Sequence, residues 1–417
     1  MEKIRLSVPA EDCIGITTAE GISDADTDNC FSEKIINPRY GKSISDLVHE
    51  RNAKTASIII SDATRHVPTE IAAPVLIEQL TAAGVGLDHI LFIVALGVHR
   101  NATEAEIREF IGEEYYGKVR VINASPYDET TLTFLGETSQ GTPVYVNREA
   151  YACDLHIAVG KVEAHPFAGF SGGRKSVLPG IAGAKTIECN HSYENINDPY
   201  SLPGEMRKNK INLDMIEAAE LFRLDFVVQF VVSESLRPVA VFAGDMQRAH
   251  EAAIEFIRPH LAINLSEKPD IIVTTTGEPK NICLYQAVVA LSALLPVLEK
   301  DMVVVFTCEC REGVDSVDMQ RPFENASSLE DVERALQSNY RIQMDSAVYM
   351  LKVLQKGVRI ICFSPNLTDE EIQKFFMIPC RDQEKIKKLA YELSGKEHPR
   401  VLFAPHPQTG LPQADYI

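Results

Sequence analysis

The residues Ala164–Lys175 read AHPFAGFSGGRK, which places His165 ten positions before Lys175 with three glycines, a serine and an arginine between them. An imidazole and an amine around so glycine-rich a loop suit two chemistries. One is a phosphate cradle, in which backbone N–H groups at a helix start receive an anion. The other is acid–base or nucleophilic work, with imidazole titrating near neutrality and a desolvated amine acting as nucleophile. The run from Gly169, GFSGGRKS, departs from the phosphate-loop pattern G-x-x-x-x-G-K-[ST] because Arg174 stands where a glycine should precede the lysine. Ser171, Gly172 and Gly173 still offer successive amides to a single phosphate. No G-x-G-x-x-G follows a strand, so an ordinary dinucleotide site is unsupported.

Three polar clusters follow apolar runs. Ser61-Asp62-Ala63-Thr64-Arg65 comes after ASIII (Ala56–Ile60), Gly97-Val98-His99-Arg100 after ILFIVAL (Ile90–Leu96), and Gly160-Lys161-Val162-Glu163-Ala164-His165 after Leu155–Val159. In open parallel sheets ligands bind beyond the carboxyl ends of the strands. Asp62, Arg65, His99 and His165 are therefore expected to meet in one crevice. Taken singly, Asp62 reads as a helix cap, Arg65 as a surface ion-pair partner and each histidine as structural. Their succession at strand ends is what points to a site. His191, 26 residues past His165, belongs to no metal-binding sequence pattern and by spacing alone reads as structural.

The elements that must position these groups alternate. After Ala56–Ile60, residues Pro68–Ala83 have helical apolar spacing at Ile71, Val75, Leu76, Ile77 and Leu80, with Gly84 as a stop signal. Thr103–Ile111 is a second helix, opened by Thr103 and Glu106 in capping-box register. Val119–Ile122 and Val144–Val146 are further strands, and Phe226–Val232 with Val239–Phe242 reads as a hairpin. A long helix from Met246 precedes a boundary at Ser266–Pro269, after which strands at Ile271–Thr275, Val303–Phe306, Val358–Phe363 and Val401–Phe403 alternate with helices, including Leu284–Leu298. The expectation is two α/β domains with mostly parallel sheets, residues 1–266 and 270–417, and an active-site cleft between them.

The chain has 417 residues, 45% hydrophobic and 24% charged, a composition that buries sizeable cores. A net charge of −18 argues against nucleic acid and anionic membrane partners. The nine cysteines are scattered, Cys308 and Cys310 forming C-x-C with no second pair, which suits reduced thiols in the cytoplasm. Neither a signal peptide in MEKIRLSVPAEDC nor a membrane span is expected.

The motifs together, in order and spacing, resemble the nickel-dependent lactate racemase family. They are Ser61-Asp62-x-Thr64-Arg65, Gly97-x-His99-Arg100, Gly160-Lys161-Val162-Glu163-x-His165, the string Phe167–Lys175 with Ser176-x-x-Pro179-Gly180, and Asn190-His191, with Tyr285-Gln286 as a looser match in the second domain. The resemblance implies a 2-hydroxy-acid racemase or epimerase working by hydride transfer through a 2-keto acid. Its cofactor would be the nickel-pincer nucleotide (pyridinium-3-thioamide-5-thiocarboxylic acid mononucleotide), held covalently by Lys175, with His191 on nickel. His99 and His165 would be the acid/base pair, and Arg65, Tyr285 and Gln286 would face the substrate. Asp62, Thr64, Ser171, Gly172 and Gly173 would serve the cofactor. Separate cofactor-biosynthesis and nickel-insertion proteins are implied partners, and a homo-oligomer is left open.

Two departures stand out. Val289 occupies the place where that family carries a substrate-facing lysine, and His66 replaces the proline usual after the arginine. The loss of a cation suggests a substrate larger or more apolar than lactate. The alternatives are a phosphotransferase using Gly169–Ser176 and a non-catalytic cofactor carrier.

Overall fold

The computed structural model describes residues 6–24, 27 and 30–416; residues 1–5 and 417, at the ends of the two expected domains, lie outside the described residues. The chain forms two compact α/β units. One holds residues 21–191 and 205–259, and the other holds the start of the chain to Glu20, Ser192–Gly204 and the stretch from His260 onward. The chain passes between the units four times: Cys13–Ile16 adds a parallel edge strand beside Val401–Pro405 of the second sheet, and Ser192–Gly204 belongs to the same unit.

In the unit with the motifs, six strands run in the order Pro238–Gly244, Phe226–Val232, Leu155–Lys161, Ala56–Ser61, Ile90–Ala95 and Arg120–Asn123. All neighbours are parallel except the first pair, the expected hairpin. Ile58, Ile59, Ile60, Phe92, Ile93, Val94, Ile157, Ala158 and Val159 are all enclosed, as continuous apolar strands covered on both faces require. Helices Thr69–Ala82 and Glu104–Ile111 cover one side, the latter with the Thr103–Glu106 capping box in place. The strand order reverses at Ala56–Ser61: the chain passes outward through Ile90–Ala95 and Arg120–Asn123, then returns to lay Leu155–Lys161 on the other side. In such sheets the reversal point, here beyond the carboxyl ends of Ala56–Ser61 and Leu155–Lys161, is the usual ligand position. Residues 143–147 are not part of this sheet, since Pro143–Asn147 pairs with Leu132–Glu137 in a separate antiparallel ribbon, with one further bridge from Val146 to Ala182.

In the other unit, Cys13–Ile16, Val401–Pro405, Ile271–Thr275, Val303–Thr307, Arg359–Phe363 and Ile378–Pro379 form a second, all-parallel sheet. The expected helix Leu284–Leu298 is divided into Leu284–Ala287 and Val289–Ala293. Lys352 donates to the carbonyls of Ile196, Asp198 and Ser201, tying the Ser192–Gly204 segment into this unit.

Candidate active site

Asp62 ends the Ala56–Ser61 strand and begins a short 3-10 turn, Ala63–Arg65. Its Oδ1 accepts the Thr64 amide at 2.9 Å and the Thr64 hydroxyl. Its Oδ2 lies 3.1 Å from His99 Nδ1. Burial raises the Asp62 carboxyl pKa, but the bonds from His99 and Thr64 outweigh it and bring it down to about 2. A carboxylate can only accept, so the His99 proton sits on Nδ1 and Nε2 keeps its lone pair. Arg65 Nη2 donates to that nitrogen at 3.2 Å. The result is a carboxylate-backed imidazole whose basic nitrogen is capped by a guanidinium.

The depressed Asp62 pKa has a consequence for stability. Its contribution is present above the unfolded carboxyl range and is lost as pH falls from about 4 toward 2. From the shift it is on the order of 2 kcal/mol. Urea unfolding of Asp62→Asn against the parent is expected to show a gap of that order at pH 7, narrowing below about pH 4 and closing only as pH falls through about 2. A gap that stays constant with pH contradicts this account.

The second cluster forms where Leu155–Lys161 ends. His165 Nδ1 accepts the Ala168 amide at 3.3 Å, and its Nε2 is 3.4 Å from Lys175 Nζ. With Nδ1 accepting, the single proton of neutral imidazole sits on Nε2 and donates to the lysine, which requires a neutral amine with a free lone pair. Electrostatics agree. Burial first, then the Arg174 and Arg65 charges, push the Lys175 amine well below its usual range. Burial and Lys175 do the same to His165. The Phe167 ring lies between two imidazoles, edge-on to His165 at 4.6 Å and to His191 at 5.1 Å. His191 closes the helix Ala184–Asn190, and its Nδ1 is buried with no well-aligned hydrogen bond among the described residues. Burial and Lys175 hold it neutral, with a pKa down to about 3, the Ile187 carbonyl offsetting this only in part.

The two clusters approach one another. Gly97 N–H donates to the Gly180 carbonyl at 3.0 Å, joining the His99 loop to the end of the lysine loop. The charge on Arg65 is felt by both His165 and Lys175. Asp62, Arg65, His99, His165, Lys175 and His191 thus belong to one unit and one end of its sheet, while Tyr285 and Gln286 belong to the other unit.

The lactate racemase N-terminal domain family matches residues 1–203, and the lactate racemase C-terminal domain family matches residues 265–406. The chain belongs to the lactate racemase family. A lactate racemase of Thermoanaerobacterium thermosaccharolyticum is 28% identical over 93% of this chain and 92% of its own length. One from Lactiplantibacillus plantarum is 35% identical over 61% and 60%. The lactate racemase apoprotein structure from T. thermosaccharolyticum superposes with a TM-score of 0.86, covering 98% of this chain and 97% of that one. A Thermotoga maritima protein, 19% identical and covering 92% and 98%, shares the fold with a TM-score of 0.63. Membership of the lactate racemase family makes this chain an isomerase of the racemase class. Among the described residues no helix is long and apolar enough to cross a membrane.

Several residues expected to serve the cofactor of a lactate racemase family member engage partners inside the protein. The Ser171 amide donates to the Glu163 carbonyl at 2.9 Å, and its hydroxyl bridges Glu163 N and the Lys161 carbonyl. The Gly173 amide donates to Gln229 Oε1 at 2.8 Å. These amides are committed inside the protein, which removes the three-amide phosphate cradle and with it the main support for a phosphotransferase. Asp62 and Thr64 likewise engage each other and His99. Gly172 is required sterically: its φ is +81° and a Cβ would meet Gln229 Oε1 at 2.3 Å. His66 has φ +48°, a conformation no proline ring adopts, so this loop departs in backbone shape as well as sequence from the family's proline. Gln229 and His250 were missed from sequence. A lone glutamine inside the buried run FVVQFVV was the available signal, because an apolar strand does not enclose an amide without a partner.

Proposed function

We propose that this chain interconverts the configurations at C2 of a 2-hydroxy acid more apolar or larger than lactate, using a nickel-pincer nucleotide held by Lys175 and His191. What carries the reading is the juxtaposition, in one unit, of a neutral amine against His165, an enclosed His191 whose Nδ1 makes no well-aligned hydrogen bond among the described residues, and the Asp62–His99–Arg65 chain. These residues fit the group: a neutral amine is the form that can be acylated, and a neutral imidazole suits nickel. When bound, the nucleotide supplies a reversible acceptor for the hydrogen on C2.

The protein side of the chemistry follows from the two tautomers. A planar guanidinium grips a carboxylate by two bonds, so the substrate carboxylate draws Arg65 off His99 Nε2 and bares its lone pair. His99 then takes the hydroxyl proton as C2 loses its hydrogen, and Asp62 stabilises the imidazolium that results. His165 would act as the acid in its doubly protonated form, giving one proton to the 2-keto oxygen after that group has turned and ending as neutral imidazole. One base and one acid are what a single direction of inversion needs, and the opposite direction exchanges their states.

Substrate size is read from Val289. Gln286 is exposed and Val289, three residues on across the turn at Val288, is partly exposed, giving an apolar side chain in place of the family's lysine. A polarimetric panel of 2-hydroxy acids, on protein co-produced with cofactor-building and nickel-inserting proteins, is expected to give its highest kcat/KM on an acid with an extended apolar side chain. Val289→Lys should move the ratio toward lactate by about tenfold. Best turnover on lactate by the parent chain refutes the substrate assignment, and absence of nickel in active protein refutes the cofactor.

A further inference from the structure

Arg174 is completely enclosed, yet among the described residues it has no carboxylate partner. Its acceptors are backbone. Nη2 donates to the carbonyls of Ala168 and Phe170, both at 2.9 Å, and Nη1 reaches the Gly172 carbonyl at 3.3 Å. Met206 Sδ lies 3.8 Å from Nη2. His250 Nε2 lies 3.0 Å from Nη1 and 2.8 Å from the Ser171 carbonyl, so this nitrogen serves one of the two, and His250 stays neutral beside the charge. Enclosing a guanidinium without a counter-charge is costly, and an apolar side chain of similar volume would serve packing better. The arrangement therefore does something other than stabilise a core.

The acceptors show what that is. Ala168, Phe170 and Gly172 are alternate residues of the loop joining His165 to Lys175, and one planar fork draws all three carbonyls to one point. The loop is closed into an arch that leads directly into Lys175, the next residue. Its other face is fixed by Gln229 through Gly173 and by Glu163 and Lys161 through Ser171.

We propose that Arg174 is a positioning residue for Lys175: by gathering the carbonyls of Ala168, Phe170 and Gly172 onto one enclosed guanidinium, it sets the loop so that the Lys175 amine rests against His165. The uncancelled charge also acts with burial to keep that amine unprotonated. The proposal deepens the reading of Lys175 as the tether, but it is testable on the cofactor-free chain.

The test is acylation of the apoprotein by a small neutral acylating reagent at pH 7.5, with peptide mass spectrometry comparing Lys175 with the other lysines. In the parent, Lys175 should react at least tenfold faster than a surface lysine, because those are almost wholly protonated at this pH. Arg174→Met, which keeps volume but loses fork and charge, should lower the Lys175 rate several-fold toward that of the surface lysines while the other lysines are unchanged. Arg174→Lys, with a compact head that reaches fewer of the spread carbonyls, should fall between. A folded Arg174→Met with parental Lys175 reactivity overturns the proposal. If that variant does not fold, Arg174→Lys decides: a several-fold fall supports the proposal and an unchanged rate overturns it. Because cofactor plays no part, failure here is separate from failure to find nickel in co-produced protein.

Discussion

Lys175→Ala is expected to fold normally, to carry no covalent mass increment when co-produced with the cofactor-building proteins, and to lose racemisation by at least a thousandfold. The lysine is half-buried and spends its amine on a long 3.4 Å contact with His165, so truncation removes little packing. What it removes is the one nucleophilic nitrogen beside the two imidazoles. A free lysine is about a thousandfold protonated over neutral at pH 7. Here the tautomer of His165, fixed by the Ala168 amide, is compatible only with the neutral form. Lys175→Arg should fail equally, since a guanidinium retains its proton in proteins. Intact-protein mass spectrometry reads both outcomes directly. A full mass increment or parental turnover in Lys175→Ala refutes the tether.

The second large effect is expected from a change of one atom, Asp62→Asn. Asp62 Oδ1 receives both the amide and the hydroxyl of Thr64, so in the variant the amide oxygen is held on that side. The NH2 group must then face His99 Nδ1. A donor there forces the ring proton onto Nε2, which abolishes the base and sets an N–H against the Arg65 guanidinium. The expected loss in kcat is about 10²–10⁴-fold, the range for removing a general base or trapping a catalytic histidine in the wrong tautomer. His99→Ala should lose a comparable factor. Nitrogen NMR of His99 should show the protonated nitrogen moving from Nδ1 to Nε2. Turnover within tenfold of the parent would falsify the assignment of His99 as a carboxylate-oriented base.

Much of the frame was legible in the linear chain. ASIII and ILFIVAL are apolar throughout, and only a strand covered on both faces tolerates that, so a parallel α/β sheet followed from composition alone. The polar residues after each run fell at strand ends because turns need groups that accept hydrogen bonds and tolerate water. Thr103 and Glu106 marked a helix start that the structure reproduces, because a capping box closes within four residues. The helix through 288 was misjudged as continuous, because periodicity reports the apolar side and not a local break in the hydrogen-bond ladder.

Elements whose bonds close over a few residues were thus fixed by local order: strand runs, helix caps, and the glycine-rich loop with its histidine and lysine. Partnerships spanning many residues were decided by the tertiary structure. Cys13–Ile16 lies nearly 400 positions from the strand it joins, and nothing in CIGI names Val401–Pro405 as its neighbour. Arg174 looked like a misplaced glycine until the fold turned it inward onto three carbonyls, and Gln229 became the partner of Gly173 only when two strands lay side by side. The protonation states of His99 and His165 depend on which acceptor or donor stands at the far ring nitrogen. That is a matter of ångströms in three dimensions, which residue order does not carry.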